Sequence, residues 1–119
     1  MPKLDSIRLR GRSGCEYDFR VYLWGHHFKP VSAVYVITER RLEPDGTAHY
    51  LPIYVGKTND LSRIFDNHPR KECFQVYLAN TIAAFAEEDS QNREAVVLDL
   101  LSAIKPPCNQ LANVGSAQS

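Results

Sequence analysis

From Tyr17 to Trp24 the chain reads YDFRVYLW, rich in aromatic and β-branched residues, and this predicts a strand. The clearest strand is Ser32–Thr38 (SAVYVIT). Both of its alternating sets, Ala33/Tyr35/Ile37 and Val34/Val36, are apolar or aromatic. A strand apolar on both sides is expected to be covered on both faces and to lie centrally in its sheet. Glu39–His49 then turns polar and holds the turn signal Pro44-Asp45-Gly46, which predicts a long loop. Tyr50–Val55 (YLPIYV) returns as the second half of an antiparallel hairpin. Pro52 has no N–H for the ladder, so it belongs near that strand's start or at an edge.

Gly56 ends the returning strand. Asn59 or Asp60 can cap a helix over Leu61–Asn67, which Pro69 stops. Phe74–Asn80 reads as helix in preference to strand, and Thr81–Ala86 (TIAAFA) is the candidate for a third strand. Ser90 is the expected N-cap of a last helix. Its apolar stripe is Val96, Val97, Leu100, Leu101 and Ile104, and Pro106-Pro107 ends it. Two readings fit the basic, Gly/Ser-punctuated first fourteen residues: a flexible arm, or an edge strand through Ile7 and Leu9. Residues 111–119 are small and polar and read as a flexible tail. Strands and helices do not alternate regularly. The expected class is α+β, with a small, mostly antiparallel sheet of three to four strands flanked by helices. One domain over residues 15–110 would follow a basic arm over 1–14.

Composition narrows this picture. A length of 119 residues fits one domain, and an apolar share of 44% supplies one core without metal or disulfide staples. Lysine plus arginine equals aspartate plus glutamate at 14 each, so any hold on a phosphate backbone must come from a local patch. Cys15, Cys73 and Cys108 are odd in number, scattered, and form no C-x-x-C pair. They are expected to be reduced thiols of a cytoplasmic protein, with Cys73 and Cys108 acting as buried small apolar groups. No stretch has the form of a signal peptide or the length of a membrane span, so neither is expected.

The residues with chemistry come in an ordered set. Ala33-Val34-Tyr35 is followed by Tyr54-Val55-Gly56, then by Lys57-Thr58-Asn59-Asp60-Leu61, a short helical stretch and His68. Near the end, a helix led by Arg93 runs into Lys105-Pro106-Pro107-Cys108-Asn109. This set resembles the GIY-YIG nuclease superfamily over roughly Ser32–Asn109. The resemblance implies a DNA endonuclease that hydrolyses a phosphodiester with one divalent metal, Mg²⁺ or Mn²⁺, and no organic cofactor. Cross-strand neighbours on one face of a hairpin lie close, so Tyr35 and Tyr54 can bring two phenols to one site. In the family one phenol orients or deprotonates a water. An arginine on the first helix neutralises phosphate charge, a glutamate on the second helix holds the metal, and the terminal asparagine braces the site. Tyr35, Tyr54, Gly56, Thr58, Leu61, His68 and Asn109 fall on motif positions.

Two charged positions depart from the pattern. The arginine is expected three residues after Leu61, and Ile64 stands there; Arg63 is its neighbour, turned about 100° around a helix. The glutamate is expected twelve residues before Asn109, and Val97 stands there; Glu94 lies about 4.5 Å and about 60° away on a helix. The sequence therefore predicts a GIY-YIG-like protein with impaired or absent nuclease activity, acting by binding DNA or a protein partner. The rival is an active enzyme using Tyr35, Tyr54, Arg63, His68 and Asn109, with Glu94 on the metal; a third reading is a protein-binding module only. Lys57, Thr58, Arg63, Arg70 and Lys71 are the candidate phosphate contacts. Each also has a plain role: tyrosines in strands, a histidine finishing a helix, a glutamate in a helix's first turn and solvated surface cations.

Overall fold

The computed structural model describes residues 3–110. Its sheet has five strands, β1 (Asp5–Arg10), β2 (Glu16–Leu23), β3 (Ala33–Leu42), β4 (Ala48–Thr58) and β5 (Thr81–Ala86), in the order β1-β2-β5-β3-β4. Every neighbouring pair is antiparallel. The α+β class stands, and the expected three to four strands become five. The fifth is β1, the edge-strand alternative for the N-terminal segment. Its charged Arg8 and Arg10 alternate with Ile7 and Leu9, which pack beneath α2 (Ser90–Ala103). The expected tail, 111–119, lies outside the described residues.

The sheet has a different cover on each face. On one, α2 lays Val96, Val97 and Leu100 over Phe19, Val21, Val34, Val36 and Val55. On the other, a 3-10 turn (Leu61–Arg63) and α1 (Lys71–Val76) bring Leu61, Ile64, Cys73 and Phe74 over Ala33, Tyr35, Ile37 and Ile82. β3 is buried through Ala33–Thr38 and flanked by strands on both sides, as its two apolar faces require.

Several local expectations change. The polar stretch after Thr38 is not a long loop: Glu39–Leu42 pair with Ala48–Leu51, and the turn shrinks to the residues around Gly46, whose φ is +90°. Those positions are half-buried or exposed, and only Tyr50 among them packs against the α2-side core, so the ladder continues without an apolar pattern. The helix expected over Leu61–Asn67 is only a 3-10 turn, because Leu61 and Ile64 are the buried pair and an i, i+3 spacing aligns in that geometry. Asp60 caps it, accepting from the Ser62 N–H at 3.0 Å. The helix expected at Phe74–Asn80 lies earlier, at Lys71–Val76, and closes through Ala79 N–H to Phe74 O at 3.0 Å with Leu78 at φ +63°. Asp89, not Ser90, caps α2: its carboxylate accepts from the N–H groups of Gln91 and Asn92 at 2.8 and 3.1 Å. Pro52 does sit on an edge strand, beside the irregularity that shifts the β3–β4 register.

Cys73 and Cys108 are joined in a disulfide, 5.9 Å apart between Cα atoms, and Cys15 is free and exposed. The expectation of three reduced thiols is overturned, and with it the cysteine ground for a reducing compartment. A separation of 35 residues leaves no spacing signal; only the packing of α1 against the C-terminal turn brings the two sulfurs together. Both halves are buried, as expected of small apolar groups. Among the described residues no helix is long and apolar enough to cross a membrane.

Candidate functional site

Tyr35 and Tyr54 point to the α1 face of the sheet, where register places Tyr35 opposite Gly56 and Tyr54 opposite Ile37. Their ring centroids are 6.0 Å apart. Tyr35 lies across Gly56 so closely that a Cβ there would meet Tyr35 Cζ and Oη at 2.6 Å and Tyr54 Cε2 at 2.7 Å. Gly56 is thus required by the approach of the two rings rather than by its own backbone angles. His68 completes the cluster, with Nε2 at 2.7 Å from Tyr35 Oη and its ring edge-on to Tyr54 at 5.2 Å. Phe74 closes it from α1, 4.8 Å from the His68 ring.

The backbone N–H of Arg70 donates to His68 Nδ1 at 3.0 Å. Neutral His68 therefore carries its proton on Nε2 and donates it to the Tyr35 oxygen. Burial lowers the His68 pKa from its ordinary value, and the Arg70 charge lowers it further. Burial also pushes the Tyr35 phenol far up, with Tyr54 adding to the rise. A phenol so placed stays protonated near neutrality, and its histidine partner is a donor. The pair is a fixed hydrogen bond, with no group in it ready to take a proton from water.

The other candidates are scattered. Ile64 packs in the tyrosine cluster's core, while the Arg63 side chain is 75% exposed and reaches Asp66 at 3.8 Å. Glu94 is on the opposite face: its carboxylate pairs with Lys57 at 3.0 Å, and Lys57 shares the α2 side of β4 with Val55. Val97 is buried on that same face, so a carboxylate at that position would also miss the tyrosines. Thr58 Oγ1 accepts from the Asp60 N–H at 3.1 Å within the turn after β4. Lys71 and His68 line a small, mostly apolar recess of about 120 Å³ with Trp24, Phe65 and Phe74. Arg70 stands beside His68, and its Nε is buried with no hydrogen-bond partner among the described residues. Asn109 is bound twice to one residue of the edge strand: Val55 N–H donates to its Oδ1 at 2.8 Å, and its Nδ2 donates to Val55 O at 2.9 Å.

A divalent metal of the kind the resemblance implies needs oxygen ligands, carboxylates above all. The cluster of Tyr35, Tyr54, His68, Ile64 and Phe74 contains no carboxylate, and the proposed one is on the far face. Among the described residues no group of three or more His, Cys, Asp or Glu is arranged to hold a metal ion. These residues do not fit Mg²⁺ or Mn²⁺. Sequence reasoning passed over Arg20 and Lys29, which stand on the tyrosine side beside a cleft over β2 and β5. Alternation groups Arg20 with Asp18 and Tyr22, but which face that set occupies is fixed only by register. No family model matches this chain, and no curated protein or solved structure matches it either.

Proposed function

We propose that this chain is a GIY-YIG-like module that binds nucleic acid without a working metal-dependent cleavage centre. One observation carries the reading: Glu94 is tied to Lys57 on the far face of the sheet, while Ile64 fills the cationic position beside Tyr35 and Tyr54. Hydrolysis would then lack its metal ligand and its preorganised cation, and losing one such stabiliser alone costs a factor of about a hundred or more in rate. Binding is supported by the cations that remain on the tyrosine side: Arg70 and Lys71 beside His68, and Arg20 and Lys29 beside the neighbouring cleft.

A nuclease assay with Mg²⁺ and with Mn²⁺ on single-stranded, duplex and branched DNA tests this. We expect binding in a gel-shift assay and no turnover above a no-protein control. Turnover by the wild type that disappears in Tyr35→Phe and in Glu94→Gln would establish the active endonuclease instead. A second reading, a protein-binding module, is favoured by one surface feature. Leu23, Trp24, Val76, Tyr77 and Leu78 are all exposed, and such apolar groups mark contact surfaces. Absence of any nucleic-acid binding would favour it.

A further inference from the structure

The tyrosine face continues past Tyr35 into a cleft of about 660 Å³. Its origin is in the register. Across the sheet, one row runs Arg20, Ala84, Tyr35, Gly56, and the row beside it pairs Ala86 with Ala33. Three alanines therefore meet on one face of a sheet whose other positions are mostly β-branched or aromatic. Tyr35 leans away from them, over Gly56; Ala33 is fully buried, Ala84 is half-buried and Ala86 is exposed, so the floor opens at Ala84 and Ala86. The 3-10 turn and α1 cover Tyr35, and Leu61 of the turn stands at the edge of the cleft. The result is a flat apolar floor with an open mouth.

The walls have two chemistries. Tyr22 stacks on His26 with ring centroids 4.4 Å apart, and Phe28 meets Tyr22 edge-on at 5.0 Å. Beside them stand two exposed cations, Arg20 two residues before Tyr22 on the same face of β2 and Lys29 next to Phe28. Among the described residues neither makes an ion pair. The one carboxylate lining the cleft, Asp18, is already held by Arg8 at 2.9 Å. The unpaired charge of the cleft is thus positive. A flat apolar floor, an aromatic wall and two free cations are together complementary to a planar ring carrying a phosphate. The volume is in the range of small-ligand sites.

We propose that this alanine-floored cleft binds one nucleotide unit, with Arg20 and Lys29 on the phosphate and the Tyr22–His26–Phe28 wall against the base. The unit is either a free nucleotide or one residue of a single strand, and in the second case the site rests on the nucleic-acid reading above. The site is separate from the Tyr35–His68 pair, whose hydroxyl points towards β4.

Binding of fluorescently labelled oligothymidylate, followed by anisotropy, and of thymidine 5′-monophosphate, thymidine and inorganic phosphate, followed by calorimetry, tests it. The variants are Arg20→Ala, Lys29→Ala and Ala86→Leu, all at exposed positions, with Arg41→Ala as a surface control. Each charge removal is expected to weaken the monophosphate about tenfold or more, as loss of a charge-assisted contact does. Ala86→Leu should do the same by filling the floor, and Arg41→Ala should change affinity less than twofold. Thymidine and phosphate should each bind more weakly than the monophosphate. Oligothymidylate binding that all three variants leave unchanged overturns the cleft and leaves the nucleic-acid reading standing. Monophosphate binding with no oligonucleotide binding supports the cleft as a free-nucleotide site and overturns the nucleic-acid reading. No binding of either overturns both. Phosphate binding as tight as the monophosphate removes the base from the proposal and overturns it as a nucleotide site.

Discussion

The two faces of the sheet are built on different principles. Under α2, Phe19, Val21, Val34, Val36, Val55 and Leu100 are almost completely buried and meet one another through apolar surface alone. Under α1, the corresponding centre is two phenols and an imidazole, joined by a hydrogen bond and closed by a short helix that a disulfide ties to the C-terminal turn. α2 has fourteen residues and a capping aspartate, whereas α1 has six and no side-chain cap. A six-residue helix has little stability of its own, so its position depends on Phe74, Cys73 and the covalent link. One face is a conventional core that fixes the sheet. The other is also an apolar core, but a phenol–imidazole hydrogen bond lies at its centre, its cover is shorter and covalently tied, and Tyr35, Tyr54 and His68 belong to it. Asp99 on α2 adds a further tie on the first side, holding the β1–β2 turn through Ser13 Oγ and Tyr17 Oη, each at 2.7 Å.

The contrast can be broken most directly at Phe19. Phe19→Ala should cost about 4 kcal/mol in denaturant unfolding, since it empties a closed apolar site. It should leave oligonucleotide affinity unchanged in the molecules that remain folded; a loss of affinity beyond that would mean the faces are not independent. Reducing the Cys73–Cys108 link, or changing both residues to serine, should cost up to about 4 kcal/mol, from the loop entropy that the cross-link removes over a separation of 35 residues. Hydrogen exchange should then rise in α1 and at the Val55 N–H that Asn109 holds, and not in α2. Uniform loosening would contradict a staple confined to one face.

Gly56→Ala should cost about 2 kcal/mol, because its methyl must displace both tyrosine rings. A neutral result would show that the rings are free to move apart. The smallest effect is the pH dependence of His68. Its pKa is depressed in the folded state below the ordinary 6.5, so the unfolded chain binds the extra proton. The stabilisation is complete above pH 6.5 and is lost as pH falls from there through the folded value. His26 is depressed by burial in the same direction, so His68→Gln should flatten the acid limb only in part. Equal slopes for variant and wild type would place His68 in a more solvated setting than the tyrosine cluster.

Much of this was legible in the chain. Two-faced apolar character marked β3 as an inner strand, the Val96/Val97/Leu100 stripe marked the buried side of α2, and Tyr35 and Tyr54 were expected together because cross-strand neighbours share a face. The misses are also local. Arg8 and Arg10 left β1 undecided between an arm and an edge strand through Ile7 and Leu9, since an edge strand needs only one apolar row. Polar Glu39–Arg41 hid the outer half of the hairpin, whose stability comes from backbone pairing and not from burial. Arg20 lay in plain view as a strand arginine, but its place one alanine from Tyr35 depends on β5 inserting between β2 and β3.

By itself the sequence determined the core of β2, β3, β4 and β5, the inner place of β3, the apolar side of α2, and that apolar residues stand at 64 and 97, where the resemblance expects charge. Those properties are written in residue type and short-range period, which act within a few residues of chain. Only the tertiary structure decided that Glu94 and the tyrosines lie on opposite faces, that Cys73 meets Cys108, and that three alanines open a cleft beside Arg20. Each of these depends on which strand lies next to which and on which side a helix packs. A one-residue change of register would reverse the faces while leaving every local propensity unchanged.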